Sequence, residues 1–192
     1  MKITVGIPDA SRGEAAALYW EAFGTKLGFT MGPKYRALIY INRVMRSDHG
    51  ICAHDDHGRL IGVAGFKTMN GALVGGSFTD IRKVYGWVGA LIRVRLMGAL
   101  ETDTENERFL MDGLFVAPEA RGQGVGTALL DEIAAEAKRR GYRQVRLDVV
   151  DTNPRARALY LHEGFREMET HKLGLLRYIF GFNAATVMVR DV

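Results

Sequence analysis

Three glycines, Gly122, Gly124 and Gly126, fall within five positions immediately ahead of a helical run. A turn of this kind carries no side chains over its amides, so successive N–H groups can converge on one external anion. The helix that follows adds its unpaired first-turn amides and the positive end of its dipole. The chemistry these residues suit is recognition of a phosphate-bearing ligand. Two aspartates, Asp112 and Asp148, lie inside strand-like apolar runs, where a carboxylate needs either a structural hydrogen bond or a role in proton transfer. His54 and His57 straddle a polar turn with no cysteine or further histidine nearby; both read as solvated, and no metal is expected. The single cysteine, Cys52, excludes an internal disulfide and reads as a buried, inert thiol.

The elements around the glycines must hold them in place. Phe109 to Val116 is an apolar run of strand length, closed by Pro118. After the turn, Leu130, Ile133, Ala134 and Ala137 repeat at helical spacing, with Asp131, Glu132, Glu136 and Lys138 largely on the other side. Gly141 supplies the stop, and Val145 to Val150 is a second β-branched strand. Asn153-Pro154 then breaks the chain, and a short helix, Arg155 to His162, ends at Gly164. The basic trio Lys138, Arg139 and Arg140 complements the dipole at the end of the central helix.

Upstream, Ile3 to Ile7 reads as a strand, followed by a helix with Ala15, Leu18, Tyr19 and Ala22 on one face and a stop at Gly24 and Gly28. A second helix starts after Gly32-Pro33, and Ile51 to His54 and Leu60 to Phe66 form an antiparallel hairpin. Residues 69–106 read as a helical insertion. Val84, Trp87, Val88 and Leu91 share a face that could cover the core or a substrate pocket, pair with a second copy in a homodimer, or touch a membrane surface. Arg82, Lys83, Arg93 and Arg95 argue against membrane insertion. An acidic run, Glu101, Asp103, Glu105 and Glu107, follows as a loop that would attract a cationic amine. Downstream, Phe165 to Met168 and Thr186 to Arg190 read as strands joined by the apolar loop Leu173 to Phe182.

The 192 residues are 47% hydrophobic and carry no Pro/Ser-rich linker, so one domain over 1–192 is expected. With 26 basic and 22 acidic residues the surface is mixed, and nucleic acid is not implied as a partner. The N-terminal residues lack the apolar stretch and cleavage site of a signal peptide, so a cytoplasmic location is expected.

The stretch Val116-Ala117-Pro118-Glu119-Ala120-Arg121-Gly122-Gln123-Gly124-Val125-Gly126 resembles the coenzyme A pyrophosphate loop of the GNAT superfamily of N-acetyltransferases. Leu147-Asp148-Val149, Asn153, Ala156, Leu159-Tyr160 and Gly164-Phe165 match that family's second half in type and spacing, so the resemblance runs over about 109–165. It implies a mixed α/β (α+β) fold: a splayed sheet of about six or seven strands flanked by four or five helices. It also implies an acyltransferase that moves an acetyl group from acetyl-CoA to the primary amine of a small molecule or peptide, without a metal. Backbone groups of Leu114, Phe115 and Val116 would then pair with the pantetheine arm, which Asn153 would also reach. The amides of Arg121, Gly122, Gln123, Gly124, Val125, Gly126 and Thr127 would hold the pyrophosphate, with Arg155 and Arg157 near the nucleotide. Tyr160 takes the place of the family's proton donor to the leaving thiolate. Asp148, acting through a water, and Asp112 are the two candidates for the base. Two rival readings are a non-catalytic acyl-CoA sensor or interaction module and a dinucleotide-dependent oxidoreductase. The glycine spacing, G-x-G-x-G rather than G-x-G-x-x-G, argues against the second.

Overall fold

The computed structural model describes residues 1–98 and 107–192. Eight strands are present among the described residues: β1 (Lys2–Val5), β2 (Gly50–His54), β3 (Leu60–Thr68), β4 (Gly71–Ala72), β5 (Phe109–Val116), β6 (Gln144–Val150), β7 (Arg166–Lys172) and β8 (Ala184–Asp191). They lie in one sheet of order β1-β2-β3-β5-β6-β8-β7, with β4 paired to β3. Around it stand α1 (Arg12–Met31), α2 (Lys34–Val44), α3 (Phe78–Gly98), α4 (Val125–Arg139), α5 (Pro154–His162) and α6 (Arg177–Phe180). The mixed architecture matches the sequence-based expectation. The added elements are the short β4 and α6, the latter within the stretch that reads as an apolar loop.

The period-2 alternation of the strands feeds two apolar layers. On one face Ile51, Ala53, Ala64 and Phe66 pack under Leu129, Leu130 and Ile133 of α4. On the other, Cys52 and Val63 pack under Ala15 of α1, Ile41 of α2 and Ile81 of α3. Every residue of the edge strand β7 is exposed, and its charged Arg166, Glu167, Glu169 and Lys172 discourage edge-to-edge pairing.

Two helical expectations need correction. First, α1 runs through Gly24 and Gly28 rather than stopping there. Neither glycine takes the positive φ of a helix stop, and the contact of α1 with α2 outweighs a glycine penalty of about 1 kcal/mol each. The helix ends instead at Gly32, where the chain turns extended ahead of Pro33. Second, the face of α3 is misplaced. Gly86 is non-helical (φ 73°, ψ 178°), so the periods before and after it do not add. Ile81, Tyr85 and Ala90 are buried, whereas Trp87, Val88 and Leu91 point to solvent. Tyr85 donates to the Met31 carbonyl and Arg93 to that of Gly32, which ties α3 to the end of α1. Among the described residues no helix is long and apolar enough to cross a membrane.

The feature that creates a site is the parting of β5 from β6. The sheet is antiparallel on both sides of this pair, and β5 and β6 themselves run parallel. Their pairing covers only Phe109 with Val145 and Leu110 with Arg146. A β-bulge follows at once: Gly65 faces Gly113 and Phe66 faces Met111, so Asp112 has no partner on β3. Such an extra residue bends its strand and shifts the alternation of side chains. Phe109 and Met111 thus join the layer under α4, whereas Phe115 joins the layer under α1 and α2.

Candidate active site

Two cavities open where β5 and β6 part. The first, about 380 Å³, is lined by Leu114 and Val116 of β5, by Arg121 to Thr127 except Gln123, and by Asn153, Arg155, Leu159 and Tyr160. The second, about 340 Å³, lies on the α1 side and is lined by Tyr19, Phe23, Asp112, Asp148, Tyr160, Phe180 and Phe182, among others. Leu114, Asn153, Ala156 and Tyr160 line both, so the cavities meet at these four residues.

In the first cavity the glycine turn takes the shape the sequence predicts. Gly122 and Gly124 both have φ 79°, a conformation that costs other residues a clash with Cβ. Gly124 caps α4, and Ala128 is the residue whose amide closes the first helical bond, onto the Gly124 carbonyl. The amides of Val125, Gly126 and Thr127 therefore project from the helix end toward the cavity. Gly126 lets α5 approach, since a Cβ there would come within 3.0 Å of Leu159. The Thr127 hydroxyl donates to Glu163 at 2.8 Å, so its amide is the group left for a ligand. Arg121 is anchored by a 3.1 Å bond to the Val116 carbonyl and lies 3.6 Å from Glu21.

The side chains of three of the expected residues point away from the first cavity, which leaves the backbone groups of Gln123 and Phe115 as their expected contacts. Gln123 is not in the lining; its side-chain amide caps the Glu119 carbonyl at 2.7 Å. Phe115 turns its ring away from the first cavity, edge-on to Tyr19 and Phe23. Arg157 pairs with Glu167 on β7, and Arg155 is the arginine of α5 that faces the cavity. The period of α5 decides this, because residues two apart on a helix point in different directions. Asn153 caps α5, its Oδ1 accepting from the Ala156 amide at 3.2 Å, which leaves its amide nitrogen for a ligand. At the far end of α4, Glu136 is buried rather than on the outer side, because Arg139 and Arg140 clamp it, and neither arginine lines the cavity.

The second cavity holds the ionisable groups. Asp112 is solvent-accessible and lines this cavity, on the bulge of β5. Its Oδ1 would be 2.5 Å from a Cβ on Gly65, so the glycine makes room for the carboxylate. Desolvation there pushes its pKa up to about 7, only partly offset by the Leu73 amide and the charge of Lys67. Tyr19 lines the same cavity; burial first, then the charge on Asp112, drives that phenol's pKa well above its ordinary value. Tyr160, 6% exposed, packs on Phe165 with ring centroids 5.8 Å apart. Burial pushes its pKa up to about 12, so the phenol stays protonated at neutral pH.

Asp148 sits differently. Its Oδ1 lies 3.5 Å from Nε of Arg146, a side chain 6% exposed. The carboxylate thus faces a guanidinium that the sheet encloses, which is a structural demand in its own right. Asp148→Asn is expected to lower the unfolding free energy by about 1–2 kcal/mol, less than for a fully buried pair because the aspartate is partly solvated. A urea titration of the two proteins would measure it.

Of the residues set aside on sequence grounds, Cys52 is buried and His57 exposed, as expected, whereas His54 is buried rather than solvated. His54 bonds the Ser11 hydroxyl at 3.2 Å in the interior. Cys52 is fully buried and its thiol is pushed up to about 12 by desolvation. No group of three or more His, Cys, Asp or Glu among the described residues could hold a metal ion.

Sequence reasoning missed Tyr19, Phe23, Phe180 and Phe182, which wall the second cavity. Their aromatic character is the only signal the sequence offered, and it does not distinguish a pocket wall from a core. Of the segment Val84 to Leu100, expected to shape acceptor choice, residues 84–95 line neither cavity. Of the acidic run, Glu101, Asp103 and Glu105 lie outside the described residues.

Comparison with known proteins bears on this geometry. Over 70 residues, 36% of this chain, the sequence is 36% identical to thialysine N-epsilon-acetyltransferase of Mus musculus, and the match spans 41% of that relative's length. The fold is similar to that of an N-acetyltransferase from Staphylococcus aureus Mu50, with a TM-score of 0.69 at 15% identity over 99% of this chain and 100% of that one. It is also similar to a phosphinothricin acetyltransferase from Sinorhizobium meliloti in complex with AcCoA, with a TM-score of 0.60 at 17% identity over 100% of this chain and 88% of that one. At such identities these two likenesses speak to the fold alone. The sequence also matches the model of the "Acetyltransferase (GNAT) family" over residues 14–165, a span that takes in most of α1, the parted strands, the glycine turn and Tyr160. With fold, turn and family model in agreement over most of its length, the chain belongs to the GNAT acetyltransferase family.

Proposed function

We propose that this protein is an N-acetyltransferase that moves the acetyl group of acetyl-CoA to a primary amine, with Asp112 as base and Tyr160 as proton donor. The observation that carries this reading is the meeting of two cavities at Tyr160: one has the amides of an anion site, the other a carboxylate poised near neutrality. The first suits a phosphate-bearing ligand, with the amides of residues 122–127 and the cations Arg121 and Arg155 around it. Acetyl-CoA supplies the activated acetyl group: its C–S bond breaks as the N–C bond forms, and one proton is released overall. Asp112, lining the other cavity, takes the proton that an ammonium must lose before its nitrogen can attack. A base with a pKa near 7 is ionised often enough at neutral pH and still holds a proton well. Tyr160, kept neutral by burial, donates its hydrogen bond toward the departing sulfur. Asp148, facing Arg146, is assigned to positioning β6 rather than to proton transfer.

Release of free thiol from acetyl-CoA in the presence of amines tests the reading directly. Tyr160→Phe should keep the fold and the acetyl-CoA affinity while kcat falls by roughly 10²-fold. An unchanged rate would return Tyr160 to the core and remove the proposed donor.

A further inference from the structure

The second cavity carries information about the acceptor, and this inference rests on the transferase reading above. Its walls are aromatic on two sides. From α1 come Tyr19 and Phe23, with ring centroids 4.9 Å apart. From the end of α6 and the residues after it come Phe180 and Phe182, 1% and 8% exposed. Its polar groups include the carboxylates of Asp112 and Asp148. No lysine, arginine or histidine is among the described residues that line it. Arg146, the nearest cation to Asp148, is enclosed in the sheet and faces that carboxylate.

We infer that the acceptor is a small arylalkyl primary amine without a carboxylate of its own, bound with its ring between the α1 and α6 aromatics and its amine at Asp112. At about 340 Å³ the cavity is near the lower end of the roughly 300–1,000 Å³ typical of ligand pockets. That size suits a single small molecule rather than a peptide segment. An approaching ammonium meets two carboxylates and aromatic faces, all of which attract a cation. An acceptor carrying its own carboxylate meets like charge and, among the described residues that line the cavity, no counter-ion. Its charge would lose hydration with nothing to replace it, and repulsion of this kind rejects a ligand more effectively than a missing contact does. Free amino acids are therefore excluded by charge, and long polyamines by the apolar walls that would cover their second ammonium group.

The test compares kcat/KM, by thiol release at saturating acetyl-CoA, for 2-phenylethylamine, phenylalanine, spermidine and a short peptide with a free α-amine. Phenylalanine and 2-phenylethylamine differ by one carboxylate, so their ratio isolates the charge argument. The arylalkyl amine should exceed phenylalanine by about 10²-fold or more, as expected for like charges a few ångströms apart in a partly desolvated site. Preference for phenylalanine, spermidine or the peptide would overturn the inference and leave the acetyltransferase reading standing. Thiol release with none of the four would remove both. A second arm supplies the missing counter-ion: Phe182→Arg, at the cavity wall, should shift the ratio toward phenylalanine by about tenfold. If that variant folds by circular dichroism and the ratio stays fixed, the charge argument is wrong. If it does not fold, the four-amine comparison on the unaltered protein decides.

Discussion

Asp112→Asn is expected to lower kcat/KM at pH 7 by about 10²- to 10⁴-fold, the range for loss of a positioned general base. The pH dependence distinguishes this from a structural effect. In the unaltered protein kcat/KM should rise with pH through about 7, as the carboxylate lining the cavity ionises. In the variant that rise should disappear, and part of the rate should return at high pH, where the acceptor is already neutral. Stability should move in the opposite sense. A carboxylate whose pKa is about 7 folded and about 4 unfolded binds its proton more tightly in the folded state. Its favourable contribution is therefore full below about pH 4 and is lost as pH rises through about 7. At pH 8 the charged aspartate is a burden that asparagine removes, so the variant should be more stable by about 1 kcal/mol, solvent access having screened part of the effect. A variant that lost rate and stability together, with an unchanged pH profile, would make Asp112 a structural residue and reopen Asp148 as the base.

Gly124→Val should abolish measurable acetyl-CoA binding, a loss of about 10²-fold or more in affinity. Two costs coincide at this position. Valine at φ 79° is strained by roughly 1–2 kcal/mol, and relief of that strain would turn the amides at the start of α4 away from the cavity. In addition, the space around Gly124 is open, with nothing within 4 Å of a Cβ built there. A side chain at that point would project into the space where a pyrophosphate must approach the backbone. Gly58, also at φ 79° and with open space around it, lies in the hairpin turn between β2 and β3. Gly58→Val therefore carries the same backbone strain without the site, and calorimetry on the two variants separates the effects. Equal affinity in Gly124→Val and the parent would place the phosphates elsewhere.

The sequence by itself determined the elements whose signals are local. The run from Phe109 to Val116 ended by Pro118, the glycines before α4, the helical repeat of Leu130, Ile133 and Ala137, and the break at Asn153-Pro154 depend on neighbours a few residues away. Backbone sterics and short-range hydrogen bonds act at that distance, so their order was legible. Local signals failed where packing between distant segments decided. Gly24 and Gly28 stayed helical because α1 rests on α2, and Gly86 reset the phase of α3 so that Trp87 faces solvent. The same division applies to the site. The anion turn could be read from spacing, but the roles of Asp112 and Asp148 could not, since both are acids within strands. Only the tertiary structure places one on a bulge lining a cavity and the other against Arg146. Likewise, only folding brings Tyr19 and Phe23 opposite Phe180 and Phe182, more than 150 positions away in the chain. A carboxylate's pKa and a pocket's walls are set by what surrounds them in space, and nothing in the residues next to them along the chain encodes that.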